Sequence, residues 1–193
     1  PAVPARDLGE FLRYARANPD KLLYASAGNG SPAHLAAEIF KRTAGVKMVH
    51  VPYKGAAPAV TDLIGGQVQV LITNVPASVG HIRSGKLKAL AITGRARSSA
   101  LPELPTFAEA GLPAYDASAW YGILAPKGTP AAITSALAAA VTKSLNDPNL
   151  ARKLVEQGVV AAAPTSPEGF AKLIAEEVVA YRRLINDIGV TLD

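Results

Sequence analysis

The residue types with chemical potential gather in one stretch, Tyr24-Ala-Ser-Ala-Gly-Asn-Gly-Ser-Pro-Ala-His-Leu-Ala-Ala-Glu38. It reads as the end of a strand, a glycine-rich turn and the start of a helix. Ser31 suits the N-cap, and Pro32 the first helical position, where a missing N–H costs nothing. Gly28 and Gly30 let the backbone come close to an occupant of the turn. Free amides at a helix start, with the positive end of the helix dipole behind them, favour an anion. A plain strand-to-helix turn without ligand satisfies the same pattern. His34, in the first helical turn, is expected to be neutral because the dipole disfavours its cation. It can then donate one hydrogen bond to a ligand or pack against the preceding loop.

Other chemistries fit less well. Gly28-Asn-Gly-Ser-Pro-Ala33 matches the degenerate dinucleotide pattern G-x-G-x-x-G/A, but that motif needs an acid at the end of the next strand. His50-Val-Pro-Tyr-Lys54 stands there without a carboxylate. No Walker A sequence is present. Ser31 and His34 lie close in sequence, yet there is no G-x-S-x-G elbow and Ser31 is better used as a cap. His34, His50 and His81 lack metal-ligand spacing and the carboxylates are dispersed, so neither a metal nor a cofactor is expected. The absence of cysteine excludes a disulfide scaffold and a thiol nucleophile. Further turns follow later strands at Tyr53-Lys54-Gly55, at Thr73-Asn74 and around Ser118-Ala119-Trp120. Ligands of open α/β sheets bind at such carboxyl ends. Asn74 can bond a ligand through either end of its amide, or simply form a turn. Lys54 reads as a solvated charge, and Tyr53 and Trp120 as wall or core residues.

The elements that must position these residues alternate between strand and helix. Asp7 and Glu10 form a capping-box pattern, with Leu8, Phe11, Leu12 and Ala15 on one helical face. Strands are expected at Leu22–Ala25, Lys47–Val51, Val68–Thr73, Leu87–Thr93 and Ala119–Ala125. Helices are expected from Pro32 to about Thr43, from Gly55 to Ile64, at Pro76–Arg83, and as a short piece at Thr106–Ala110. Beyond Gly128-Thr-Pro130 the pattern turns helical: Ile133–Asn146, Pro148–Gln157 and Pro167–Ile188, the last capped by Thr165 or Ser166. Alternating βα units imply a mainly parallel sheet with right-handed crossovers. The chain has 193 residues, 49% hydrophobic and 18% charged, enough for a sizeable core and against disorder. A net charge of +5 suits an anionic partner. The basic residues are scattered and few residues are aromatic, so nucleic acid is not indicated. No apolar run reaches the ~18 residues needed to span a membrane. The chain opens at Pro1 without methionine, which points to a processed product or a fragment.

Several segments occur together and in order: Tyr24–Ser31 with His34-Leu-Ala-Ala-Glu38; His50-Val-Pro-Tyr-Lys-Gly55; Pro58-Ala-Val-Thr-Asp-Leu-Ile-Gly-Gly-Gln67; Gly85-Lys-Leu-Lys-Ala-Leu-Ala91; Leu104-Pro-Thr-Phe-Ala-Glu-Ala-Gly111; Trp120-Tyr-Gly122; and Ala125-Pro-Lys-Gly-Thr-Pro130. With these the chain resembles the Bug-type (TctC-like) solute-binding proteins, extracytoplasmic receptors of tripartite tricarboxylate transport systems. The resemblance implies a type II periplasmic-binding-protein fold and a non-enzymatic receptor for a small carboxylate: a di- or tricarboxylate, an amino acid or an aromatic acid. Residues 1–122 would be the second α/β domain of a two-domain receptor. Residues 123–193 would be a helical segment returning to a first domain that is largely missing here. Ser26, Ala27, Gly28, Asn29, Gly30, Ser31, His34 and Asn74 would hold a carboxylate, with the opposite jaw in the missing part. Membrane components of the transporter would be its partners, the location periplasmic, and the face left bare would favour a homodimer. The alternative is a small α/β enzyme using the same turn for a phosphate or an oxyanion.

Overall fold

The computed structural model describes residues 3–161 and 166–189. Helix α1 (Leu8–Ala17) begins where Asp7 accepts the Glu10 amide at 2.7 Å. Glu10 reaches back to the Arg6 amide, one residue earlier than a standard capping box. Leu8, Phe11, Leu12 and Ala15 are buried, as their helical spacing requires. Strand β1 (Leu23–Ser26) leads into the glycine-rich turn and α2 (Pro32–Ala44), which is capped by Ser31 and ends at Gly45 with φ 62°. Strand β2 (Val49–Pro52), α3 (Ala56–Ile64), β3 (Val70–Leu71) and α4 (Val75–Arg83) follow.

The three strands form a parallel sheet in the order β2-β1-β3, with Ser26 opposite Pro52 and Ala25 opposite Leu71. The chain crosses from β1 to β2 in one direction and from β2 back over β1 to β3 in the other. Right-handed crossovers therefore place α2 and α3 on opposite faces. The core divides accordingly. Tyr24 faces a cluster with Leu8, Phe11, Phe40, Phe107 and Tyr115, whereas its neighbour Ala25 faces Ala59 and Val68. Phe40 meets Phe107 and Tyr115 edge-on, with ring centroids 5.8 Å apart in both pairs.

Some expected elements are shorter or absent. The Leu87–Thr93 pattern makes only an isolated parallel bridge between Ile92 and Thr106. Pro105 precedes the bridge and has no N–H to extend a ladder. Thr106–Ala110 closes a single turn, with Thr106 and Glu109 exchanging side-chain to amide hydrogen bonds, and stops at Gly111, φ 92°. Val68–Thr73 contracts to Val70–Leu71, and Ala119–Ala125 forms no strand. The last segment holds α5 (Ala131–Leu145), α6 (Pro148–Glu156) and α7 (Pro167–Ile188). Ser166 Oγ accepts the Gly169 amide at 3.0 Å as a cap; Thr165 lies outside the described residues.

The chain divides into two compact units, one reaching to Ala119 and the other Trp120–Ile188. The first contains the sheet and every buried residue among those described. In the second no described residue is buried. Its internal contacts include Trp120 packed edge-on against Phe170, centroids 5.2 Å apart, and Trp120 Nε1 donating to Glu177 at 2.7 Å. No helix among the described residues is long and apolar enough to cross a membrane.

Candidate functional site

The carboxyl ends of β1, β2 and β3 lie side by side, and the turns leaving them share one edge of the sheet. After β1 the chain enters α2 on one face; after β3 it enters α4, which packs beside α3 on the other. The ladder between β1 and β3 ends at Ala25 and Leu71, and beyond it the two connections part. Open α/β sheets take ligands at such switch points. Residues 27–31 follow β1 and Asn74 follows β3 at this edge.

Much of the turn's hydrogen bonding closes on itself. Ser26 is fully buried. Its Oγ accepts the Gly28 amide at 3.1 Å, donates to Gly28 O at 3.0 Å and lies 2.6 Å from His50 Nε2. With the hydroxyl proton on Gly28 O, that last contact is an imidazole N–H donating to Ser26. Gly30 donates to His34 Nδ1 at 3.0 Å, Ser31 to Gly28 O at 3.2 Å, and His34 N to Ser31 Oγ at 3.3 Å. Gly28 has φ 127°, beyond the reach of an ordinary L residue, and the turn comes close to Tyr53: a Cβ on Gly28 would sit 3.5 Å from Tyr53 O.

This arrangement sorts the eight residues suggested by the sequence. Ser26 and His34 are buried, and they shape the turn from within. The Gly28 and Gly30 amides already have acceptors. Asn29 is exposed at the tip. The Ala27 and Ala33 amides donate to no acceptor among the described residues, and the Ser31 hydroxyl accepts a bond while donating none. Ala33, at the second helical position, joins the set only once the amides are counted one by one. Asn74 caps α4, its Oδ1 accepting the Ala77 amide at 3.3 Å. Lys54 is exposed, and Tyr53 donates to Asp62 at 2.8 Å.

Under the turn lies an aromatic stack that the sequence did not reveal. The imidazoles of His34 and His50 are 3.9 Å apart at 9° from parallel. Tyr24 stacks on His50 at 4.8 Å. The Tyr24 hydroxyl donates to Glu38, which also pairs with Lys41 at 2.7 Å. Lys41 Nζ lies 5.4 Å from the centre of the Tyr24 ring. Burial and then the Glu38 carboxylate push the Tyr24 hydroxyl upward. Burial pushes His50 down to about 4, and the neighbouring His34 adds to this. Burial is also the leading cause that holds His34 below its usual value; Glu38 opposes it and Lys41 assists. The expectation of a neutral His34 therefore stands on desolvation more than on the helix dipole. The hydrogen bond from Gly30 fixes the tautomer, with the proton on Nε2.

The Ser26–His50 contact has the look of a hydroxyl and its base, but the hydroxyl is buried and engaged with Gly28. No group of three or more metal-binding side chains occurs among the described residues.

The family model described as "Tripartite tricarboxylate transporter family receptor" matches residues 1–190. The chain is 37% identical to BugT of Bordetella pertussis over 194 aligned positions, covering all of this chain and 59% of that protein. Among solved structures, Rpa4515 of R. palustris with adipate superposes with a TM-score of 0.92 at 34% identity, covering 98% of this chain and 63% of its own. MatC of Rhodopseudomonas palustris with bound malate superposes with a TM-score of 0.86 at 34% identity, covering 94% of this chain and 63% of its own. The chain thus spans about three fifths of the length of these three proteins. Other solved structures sharing the architecture are described as a periplasmic transporter and as the periplasmic binding protein BugD. This chain, with its parallel sheet and self-braced glycine-rich turn, belongs to the tripartite tricarboxylate transporter receptor family.

Proposed function

We propose that this chain carries one jaw of an extracytoplasmic receptor for a small carboxylate, passed on to the membrane components of a tripartite tricarboxylate-type transporter. The observation that carries the reading is the glycine-rich turn at the carboxyl end of the central strand β1, where the chain leaves the sheet for α2. Among the described residues, the Ala27 and Ala33 amides and the Ser31 hydroxyl find no acceptor and are available as donors. Amides at a helix start hold a carboxylate without a counter-charge, since the helix dipole favours the anion. Asn74, which follows β3 at the same edge of the sheet, completes the cradle. Adipate and malate in the solved relatives make dicarboxylates the first acids to try; amino acids and aromatic acids come next. A receptor that serves an importer works on the outer side of the membrane, which gives a periplasmic location.

The second unit supports a two-domain organisation. Tyr121, Ile123, Leu124, Val160 and Val179 are each more than 65% exposed. Apolar surface of this kind calls for a covering partner. In a receptor of relatives' length the first domain covers it, and closure of the two jaws excludes water from the ligand. In the 193-residue chain alone, a second copy covers it, giving a homodimer.

A thermal-shift panel of malate, adipate, citrate, glutamate, benzoate and nucleotides tests the reading. An acid at a hundred times its Kd adds about 2.7 kcal/mol. A shift by a carboxylate that Ser31→Ala diminishes supports the cradle; shifts by nucleotides alone overturn the receptor reading in favour of a phosphate-binding enzyme.

A further inference from the structure

The side chains of His34 and His50 each bond to the turn through an imidazole nitrogen. Gly30 N–H points at His34 Nδ1 at 3.0 Å, and His50 Nε2 holds Ser26 Oγ at 2.6 Å, which in turn binds both the N–H and the carbonyl of Gly28. The two positive-φ glycines of the turn, Gly28 at 127° and Gly30 at 69°, are thus each tied to one histidine. The rings themselves lie face to face at 3.9 Å. We propose that His34 and His50 are a stacked pair of positioning residues for the ligand turn, and that proton uptake by the pair loosens the turn and weakens carboxylate capture.

The chemistry follows from the atoms. A proton taken from water by His34 lands on Nδ1, since Nε2 already carries one. It replaces the acceptor of the Gly30 amide with a second donor, and the two N–H groups face each other. The Gly30 amide must then turn away. Its neighbours Ser31 and Ala33 lie in the same short segment, so the donors offered to a carboxylate move with it. The stack adds a penalty, because an imidazolium on one ring disfavours charge on the other at this distance. Among the described residues, the other titratable and charged groups around the pair are Tyr24 from β1 and Glu38 and Lys41 from α2. Tyr24 stays neutral, and Glu38 and Lys41 neutralise each other. No described residue serves the pair as a dedicated counter-ion for a new positive charge, and burial leads in favouring its neutral form.

The proposal rests on the receptor reading only for its link to capture; the positioning role is testable without ligand. Amide and ring resonances of the full chain, followed from about pH 8 to about pH 4, give the direct readout. Gly30 is expected to shift with the midpoint of the His34 ring. In His34→Asn, whose Oδ1 keeps an acceptor in place of Nδ1, Gly30 is expected to stay level and the His50 midpoint to rise. A Gly30 amide that holds still while His34 titrates overturns the proposal, and the wild-type titration decides this even if a variant fails to fold. In the second arm, malate and adipate affinities are measured at about pH 7 and about pH 5 in both proteins, so that the acids' own protonation cancels. The loss on acidification is expected to be greater in the wild type. Equal losses in the two proteins overturn the link to capture while leaving the receptor reading intact. If neither acid binds at any pH, the receptor reading fails and the resonance titration alone decides the positioning role.

Discussion

Tyr24 and His50 are paired positions of the parallel β1–β2 ladder, and their rings stack 4.8 Å apart at 17°. This places a histidine over a buried phenol instead of in water. Its depressed pKa makes stability depend on pH. Above about pH 6.5 the imidazole is neutral in the folded and the unfolded chain alike, and its contribution is complete. As the pH falls toward 4, the unfolded chain binds a proton that the folded one refuses, so stability is lost across that window. The loss is about 1–2 kcal/mol, less than the full shift would give, because water reaches part of the ring. Urea denaturation at a series of pH values, with His50→Gln alongside, measures it. The same slope in both proteins would show that other groups dominate.

Ser26→Ala is expected to destabilise the first unit by about 1–3 kcal/mol. The hydroxyl is fully buried and serves the Gly28 amide, the Gly28 carbonyl and His50 together. Removing it leaves those partners unpaired in a dry site. Chemical denaturation followed by circular dichroism reads the change, and a cost within error of zero would mean that water takes the hydroxyl's place.

Gly28 and Gly45 both have positive φ but differ in kind. At Gly45, φ 62° is an ordinary left-handed helix end with open space around it, so Gly45→Ala costs about 1 kcal/mol and leaves ligand binding alone. At Gly28, φ 127° lies outside that region, and Gly28→Ala costs more, about 1–3 kcal/mol, and displaces the turn. Calorimetric titration with malate, alongside melts, separates the two: only Gly28→Ala should weaken binding. Equal effects would place the cradle elsewhere.

Trp120 is the sole tryptophan, and its contacts with Phe170 and Glu177 lie inside the second unit. That unit has no buried residue among those described, so burial contributes little to its stability. Tryptophan fluorescence should report its unfolding at lower urea than the ellipticity change of the first unit. A coincident transition would show that another surface covers it, as a dimer would. Gly122→Ala should lower the fluorescence midpoint further, because a Cβ there would lie 2.1 Å from Phe170 Cζ and force the ring off Trp120.

The sequence by itself determined the local signals. Ser31, Pro32 and Gly45 fixed the ends of α2, Asp7 fixed the start of α1, and the βα alternation fixed a parallel sheet, because caps, φ restrictions and hydrophobic periods act over a few residues. The ordered segments from Tyr24 to Pro130 identified the family. What only the tertiary structure decided depends on residues far apart in the chain. Strand Leu87–Thr93 failed because its partner segment carries Pro105, and Ala119–Ala125 found no neighbour in a sheet. Ser26 and His34, expected as ligand contacts, brace the turn through their own side chains. Their true partner, His50, is separated from His34 by a helix and half a strand; parallel register, which no local pattern encodes, sets Tyr24 opposite His50 and so brings the two imidazoles into contact. Which amides remain for a carboxylate follows from the same closure, since a donor is available only after every nearby acceptor in the folded chain has been counted.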